Sequence, residues 1–322
     1  MVSSSATGQM SVSVVSGATE APAVVPFDRR YESSAGTGRA AKGLRAARET
    51  WSPMRFLSTR TLLAGLLGGV LHLTVVEALF RQLGHVPEAL WPLASLGSAL
   101  SLFVAGALVA AAAVHTRLAS PPIGLVALAG WAAYRDWATP DPTWSELGGR
   151  LVVDGDVFLT GYVGAWYVWL GLLAVTAAIE LGLRREFGIA DRRLRTPPSP
   201  GDIGRDWRVT PGTGAVAVAV GGVFGVAVAA RAADIGVTPT AILPVLVGTA
   251  GAAGGVPVAG ALRGLVTPAL GFVALVAPTL LRTTLTGGEG GPVFLLLLGP
   301  LALAFALLAL TEDAIRRRLR DR

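Results

Sequence analysis

Long apolar blocks alternate with short polar segments along the chain after residue 57. A helix needs about 20 apolar residues to cross the hydrocarbon core of a bilayer. The pattern therefore predicts an all-α integral membrane protein, a bundle of about eight transmembrane helices. The predicted spans are residues 61–80, 91–114, 120–135, 157–179, 213–232, 239–260, 264–281 and 292–311. The third is the weakest, because its clean apolar run extends only from Pro122 to Tyr134, and a re-entrant segment is the alternative there.

Basic residues are sorted between alternate loops. With eight spans and a cytoplasmic N-terminus, 22 of the 27 Lys and Arg residues fall in cytoplasmic segments, as the positive-inside rule requires. Without the third span, the basic N-terminal tail and the basic 180–212 loop would lie on opposite faces. We therefore predict eight spans in the plasma membrane, with both termini in the cytoplasm. The outer loop 136–156 is acidic and is interpreted as a solvated loop, with cation attraction as the alternative.

The composition agrees with this class and excludes several functions. The chain is 52% hydrophobic and 15% charged, whereas a soluble domain is about 25% charged. It has no cysteine, which excludes disulfides, thiolate metal sites and thiol nucleophiles. Its one lysine, Lys42, lies outside every apolar block, which excludes a retinal Schiff base. We expect no metal, no cofactor and no nucleic-acid partner.

The chain divides into five segments. They are a disordered to basic cytoplasmic tail over 1–56, a first four-span half over 57–183, a basic linker over 184–212, a second four-span half over 213–313, and a basic tail over 314–322. A start of translation at Met54 is an alternative interpretation of the first segment. Residues 37–50 place four basic residues three apart, and a basic helix beside a membrane binds anionic lipid headgroups. These residues are Arg39, Lys42, Arg45 and Arg48; docking to a protein partner is the alternative.

Short motifs recur between the two four-span segments. The Gly-Gly-Val motif at 68–70 recurs at 221–223, an offset of 153 residues, and the VAGAL motif at 104–108 recurs at 258–262. Spans 4 and 8 both end in an acid followed by arginines: Glu180 with Arg184 and Arg185, and Glu312 with Arg316 and Arg317. These motifs favour two parallel four-helix halves. Chance matching in a composition rich in Ala, Gly, Val and Leu is the alternative.

The sixth span is rich in glycine and proline and holds almost no charge. Inside lipid, breaks in a helix survive only where neighbouring groups or water satisfy the freed backbone, and transporters bind solutes at such breaks. With the histidine of span 1, this region is the candidate solute path: His72, Pro244, Gly248, Gly251, Gly255 and Pro257. Close packing is the alternative, because Gly251 with Gly255 and Gly221 with Gly225 form GxxxG pairs.

Polar and aromatic residues within the spans have structural interpretations as well as functional ones. His72 is interpreted as a neutral histidine that hydrogen-bonds across helices, with a proton relay or solute contact as the alternative. An aromatic stripe in span 4 is interpreted as packing, with stacking of a ring or organic cation as the alternative. It consists of Tyr162, Trp166 and Trp169. Glu77 with Arg81 and Arg231 with Asp234 are interpreted as local ion pairs.

No catalytic motif is present, and the DIGRD stretch at 202–206 is too little of a metal-binding motif to indicate an enzyme. We therefore expect a transporter or permease for a small neutral or hydrophobic solute, because buried charge for ion coupling is lacking. A membrane scaffold or subunit of a larger complex is the alternative. The expected partners are the bilayer itself and either a second copy of the chain or another membrane protein.

Overall fold

The computed structural model describes residues 58–84, 86, 88, 91–147, 150–187, 211–234, 240–286 and 291–320. This part of the chain is mostly helical. Its helices are α1 (Thr59–Leu83), α2 (Leu96–Thr116), α3 (Ser120–Ala138), α4 (Phe158–Gly164), α5 (Trp166–Phe187), α6 (Pro211–Asp234), α7 (Leu243–Ala261), α8 (Thr267–Gly271), α9 (Ala277–Thr286) and α10 (Gly291–Arg320). A π-helical segment, Phe272–Val276, joins α8 to α9, and 3₁₀ turns at Pro92–Ala94 and Thr240–Ile242 precede α2 and α7.

Six helical stretches within the described ranges are long and apolar enough to cross a membrane. They are Thr59–Leu83, Leu96–Thr116, Trp166–Phe187, Gly212–Asp234, Thr240–Ala261 and Leu297–Leu319. Six of the eight predicted spans therefore have a matching helix of sufficient length and composition, in agreement with a helical membrane bundle.

The predicted third and seventh spans are helical but do not join these six. Helix α3 covers 19 residues, and its last turns carry polar and amphipathic side chains from Trp131 to Trp137. The seventh span begins at Thr267 rather than at residue 264, and the π-helical segment divides it. The described part of the bundle thus also contains α3, which is less apolar than these six helices, and the α8–α9 unit, which is less regular.

Glycines bring α1 against α2 and α6 against α7. A Cβ atom built on Gly106 would lie 2.6 Å from the carbonyl oxygen of Gly68, so the two backbones touch there. In the second pair, a Cβ atom on Gly255 would lie 3.0 Å from the carbonyl oxygen of Ala217. Small residues allow such close approach of helices in membranes, and the two helix pairs are the most closely packed parts of the bundle.

A distant glutamate caps the N-terminus of α3. The backbone amides of Ala119 and Ser120 donate to the Glu180 carboxylate of α5 at 3.0 and 2.7 Å. The first amides of a helix have no partner within it and carry partial positive charge, so a carboxylate there is stabilising. Glu180 also forms an ion pair with Arg184, one turn further along α5.

The N-terminus of α8 has the same arrangement. The amides of Val266 and Thr267 donate to the Glu312 carboxylate of α10 at 3.2 and 2.9 Å. Glu312 pairs in turn with Arg316 at 2.6 Å. The acid-then-arginine motif seen at the ends of spans 4 and 8 is therefore the same device at both places.

The predicted outer loop contains a β-hairpin, which the all-α fold class did not include. Strand β1 (Thr143–Leu147) pairs antiparallel with β2 (Arg150–Asp154), with Thr143 opposite Asp154 and Leu147 opposite Arg150. The second strand contains the run Leu-Val-Val, and β-branched residues favour extended backbone. The prediction interpreted this segment as a solvated acidic loop and assigned no strand to it.

The predicted fourth span is divided at Ala165 into α4 and α5. The side chain of Asp136 accepts from the first amides of α4, Phe158 at 2.7 Å and Leu159 at 2.9 Å, which fixes where this helix begins. The predicted N-terminal tail, with its four spaced basic residues, lies outside the described residues, as does most of the 184–212 linker.

Candidate functional site

His72 lies in a hydrogen-bond network that joins three helices. Its Nδ1 is 2.8 Å from the carbonyl oxygen of Leu102 in α2, and its Nε2 is 2.7 Å from the hydroxyl of Tyr162 in α4. A carbonyl can only accept, so Nδ1 carries the hydrogen and Nε2 accepts from Tyr162. Both ring nitrogens of the neutral imidazole are thus satisfied by the protein, the arrangement expected of a cross-helix structural histidine.

The aromatic stripe lies beside this network. The rings of Tyr162 and Trp169 are stacked with centroids 6.4 Å apart, and Trp169 Nε1 donates to the Tyr162 carbonyl at 2.9 Å. Both side chains are fully buried. Trp166 is half-buried and meets Tyr167 edge to face. Tyr162 and Trp169 therefore hold α4, α5 and α1 together, with their ring faces covered by protein.

The glycine-rich sixth span is one continuous helix. Helix α7 extends from Leu243 to Ala261 through the buried Pro257 without a break. A Cβ atom on Gly251 would lie 3.3 Å from the carbonyl oxygen of Gly221 on α6. Gly251 and Gly255 on α7, with Gly221 and Gly225 on α6, thus line the contact between these helices, which is the close-packing interpretation of the GxxxG pairs.

The six residues of the predicted solute path are not brought together. Pro244 and Gly248 lie on the exposed face near the start of α7, whereas Pro257 is buried near its end. His72 belongs to the α1–α2 pair instead. The structure places His72 in one helix pair and the other five residues in another.

A groove of about 730 Å³ lies between α7 and α10. Its walls are the small and apolar residues Val256, Ala259, Gly260, Leu265, Ala306, Ala309 and Leu310. Its charged end carries Arg263, Asp313 and Arg317, of which the last two pair at 2.6 Å. A groove with an apolar length and a charged end has the chemistry to accept a hydrophobic or amphipathic molecule.

Sequence reasoning did not predict this groove, although one of its walls is the sixth span. The signal on α10 is a line of small residues and charges on one helix face: Ala306, Ala309, Leu310, Asp313 and Arg317, at spacings of three, one, three and four. On α7 the signal is the pair Ala259 and Gly260, two adjacent small residues that both line the groove.

A second polar cluster lies where α4 and α5 meet the ends of α6 and α9. Arg231 donates to the carbonyl oxygen of Thr284 at 3.4 Å, and Tyr167 donates to Asp234. Sequence reasoning treated Arg231 and Asp234 as a local pair, whereas the structure ties each of them to another helix. The Nε of Arg231 and the hydroxyl of Thr160 are buried without a hydrogen-bond partner, and buried groups of this kind are where water is expected.

Among the described residues, no group of three or more His, Asp or Glu side chains lies close enough together to hold a metal ion. No protein family, no curated protein and no solved structure shows significant similarity to the chain.

Proposed function

We propose that the protein is a permease-like membrane protein that binds and moves a small neutral or hydrophobic solute. The observation that carries this proposal is the groove between α7 and α10, because it is large enough for a small organic molecule and mostly apolar. Its charged end lies beside the arginines of α10, a part of the chain that the basic-residue pattern assigns to the cytoplasm. The solute would enter or leave the groove at that face.

We further propose that the bundle consists of two parallel four-span halves, α1–α5 and α6–α10. The twin glutamate caps support this, because Glu180 and Glu312 make the same contacts with the helices that start at Ser120 and Thr267. Chance matching of small residues explains short motifs but does not place two carboxylates on two corresponding helix N-termini. Repeats related by an axis along the membrane normal are common in transporters.

The sequences of the two capped helices support the same division. Residues 120–135 align with residues 267–282 without a gap, and 6 of the 16 positions are identical. The identical pairs are Pro121 and Pro268, Gly124 and Gly271, Val126 and Val273, Ala127 and Ala274, Leu128 and Leu275, and Arg135 and Arg282.

The same alignment supports eight spans. Helix α3 has 19 residues, which at about 1.5 Å per residue gives roughly 28 Å, close to the thickness of the hydrocarbon core. With α3 and the α8–α9 unit both crossing, the two halves are parallel and both termini lie in the cytoplasm. The positive-inside rule then accounts for the location of most of the basic residues.

The proposed function is tested by filling the groove. Ala309→Trp places an indole in the groove, whereas Ala252→Trp places the same side chain on the exposed face of α7. Both variants are reconstituted in liposomes, and influx of a panel of radiolabelled small hydrophobic and neutral solutes is measured. We expect at least one solute to enter faster than in protein-free liposomes, with the increase lost in Ala309→Trp and kept in Ala252→Trp.

A membrane scaffold or complex subunit is the second candidate function. The continuous α7 helix and its glycine contact with α6 favour it, because they leave the centre of this helix pair closely packed. Equal influx for protein-containing and protein-free liposomes across the whole panel would overturn the permease proposal in favour of the scaffold.

A further inference from the structure

The two halves, whose equivalence rests on the proposal above, meet through different faces. The larger contact joins α5 of the first half to α6 and α7 of the second, and a smaller one joins α4 to α9. A Cβ atom on Gly171 of α5 would lie 3.4 Å from the Cβ of Ala227 on α6, and Val175 Cγ2 lies within 3.2 Å of the position of a Cβ on Gly254. Because the two faces differ, the internal contact is heterologous. If the halves are equivalent, each half carries both faces and can therefore contact two neighbours, one through each face.

The equivalent of the α5 face is uncovered on α10. An offset of 132 residues relates the two capping glutamates, and it places Leu303 at the position of Gly171 and Leu307 at that of Val175. Gly171 and Val175 are buried between the halves, whereas Leu303 and Leu307 are 69% and 64% exposed. In the apolar window of α5, 50% is buried inside the protein, whereas the corresponding buried share of α10 is 17%.

The equivalent of the α6 face is uncovered on α1. The offset of 153 residues given by the Gly-Gly-Val motif places Leu71 at the position of Phe224 and Thr74 at that of Ala227. Phe224 and Ala227 are buried against α5, whereas Leu71 is 65% exposed and Thr74 is also exposed. Helices α10 and α1 thus carry the equivalents of the two faces that meet in the internal contact between α5 and α6.

We propose that a second copy of this chain covers these faces, with α10 of one copy packed on α1 of the next. The new contact repeats the internal contact between α5 and α6. Consecutive halves are therefore related in the same way within one copy and between two copies. Leu303 stands where α5 has Gly171, so side chains make this contact in place of a bare backbone. A repeated heterologous contact closes into a ring when the rotation between units allows it.

The chain has no cysteine, which makes cross-linking a direct test. Leu303→Cys in one tagged copy and Thr74→Cys in a second, differently tagged copy are co-expressed, and the membranes are oxidised. We expect an inter-chain disulfide, because these two positions correspond to Gly171 and Ala227. Gly171→Cys with Ala227→Cys in one chain is the internal control and should close within the chain.

Val126→Cys replaces Thr74→Cys in the matched negative control, because Val126 is 73% exposed on α3 and lies on neither proposed face. Equal cross-linking of Leu303→Cys to both positions, or to neither, would overturn the proposal. A second measurement is independent of oxidation: Leu307→Trp should lower the oligomer mass measured by light scattering in detergent, whereas Val126→Trp should leave it unchanged. A monomeric mass for the unmodified protein would also overturn it.

These outcomes are separable from a failure of the proposed function. If the internal Gly171–Ala227 disulfide fails to form, the arrangement of the two halves is wrong, and the second-copy contact is overturned with it. If the internal disulfide forms and the protein is monomeric but transports a solute, only the second-copy contact is overturned. Cross-linked copies that show no influx of any solute would support the contact between copies and overturn the permease proposal.

Discussion

The backbone amide of Ser120 donates to the carboxylate of Glu180 at 2.7 Å, across 60 residues of chain. This bond ties the start of α3 to the last turns of α5, and the bond from Thr267 to Glu312 does the same for α8 and α10 at 2.9 Å. The two capped helix starts are the points at which the proposed repeat can be tested most directly.

Replacing either capping glutamate should destabilise the protein by a similar amount. In Glu180→Gln and Glu312→Gln one amide oxygen is left to accept from two backbone amides, and the charge that favours the helix N-terminus is lost. Hydrogen bonds to charged groups contribute about 1.5–3 kcal/mol, so we expect both variants to lose a large part of this. Thermal unfolding in detergent measures it.

Asp313→Asn is the matched control for the capping variants, because Asp313 neighbours Glu312 on α10 but pairs with Arg317 in the groove wall instead of capping a helix. We expect a change well below that of Glu312→Gln. A capping variant that unfolds at the same temperature as this control would argue against the caps.

Removing the hydroxyl of Tyr162 should weaken the contact between α1 and α4. In Tyr162→Phe the Nε2 of His72 loses its donor, and hydrogen bonds between membrane helices contribute about 0.6 kcal/mol on average and up to about 1.7. A double-mutant cycle with His72→Phe and Tyr162→Phe measures this pair by unfolding in a denaturant. A coupling energy of zero would contradict the network described above.

A methyl group on Gly182 should separate α5 from the end of α7. A Cβ atom there would lie 2.6 Å from the carbonyl oxygen of Ala261, which is backbone and cannot turn aside. We expect Gly182→Ala to lower stability by roughly 1–3 kcal/mol, as overpacking generally does. Unfolding curves of the purified protein give the difference.

Gly222→Ala is the contrasting variant on α6, since a Cβ atom there meets nothing within 4 Å. Alanine favours helix over glycine by about 1 kcal/mol, so this change should be neutral or stabilising. Destabilisation of both variants to the same degree would show that the contact with Ala261 is not the cause.

The basic stripe of the N-terminal tail should bind anionic membranes electrostatically. A peptide of residues 37–50 should partition onto vesicles containing anionic lipid, with about 1 kcal/mol per basic residue, and lose this binding in high salt. Replacing Arg39, Lys42, Arg45 and Arg48 by glutamine should abolish it. Equal binding to neutral vesicles, measured by sedimentation, would contradict the prediction.

The membrane class and the positions of most helices could be predicted from the sequence, because long apolar blocks have few other uses. The site could not. Glycine and proline in residues 243–260 fit both a broken helix and close packing. The close packing depends on the backbone of α6, a separate helix whose approach to α7 the sequence of α7 does not contain. The same is true of His72, whose partners Leu102 and Tyr162 come from two other helices.

The proposed correspondence between the third and seventh spans has only a short signal in the sequence, the Gly-Leu-Val motif that opens both spans at residues 124 and 264. The recurring motifs gave offsets near 153 residues, whereas the capped helices are related by 147 and the capping glutamates by 132. The offset falls along the chain because connections in the first half are longer, above all the one that contains the β-hairpin between α3 and α4. A search at one fixed offset would therefore find only part of the proposed repeat.

The cap on α3 has a consequence for how the protein is made. The ribosome delivers the chain from its N-terminus, so the 19-residue helix that begins at Ser120 leaves the ribosome long before Glu180 does. Until then the first amides of α3 have no carboxylate to cap them. Helix α3 is also less apolar than the six stretches that are long and apolar enough to cross a membrane. If α3 crosses the membrane, as we propose, we expect its stable insertion to wait for α5, so that the insertion machinery retains or readmits it until the later helix arrives. A chain truncated between the two helices should be a preferred substrate for membrane quality control, although every residue of α3 is present.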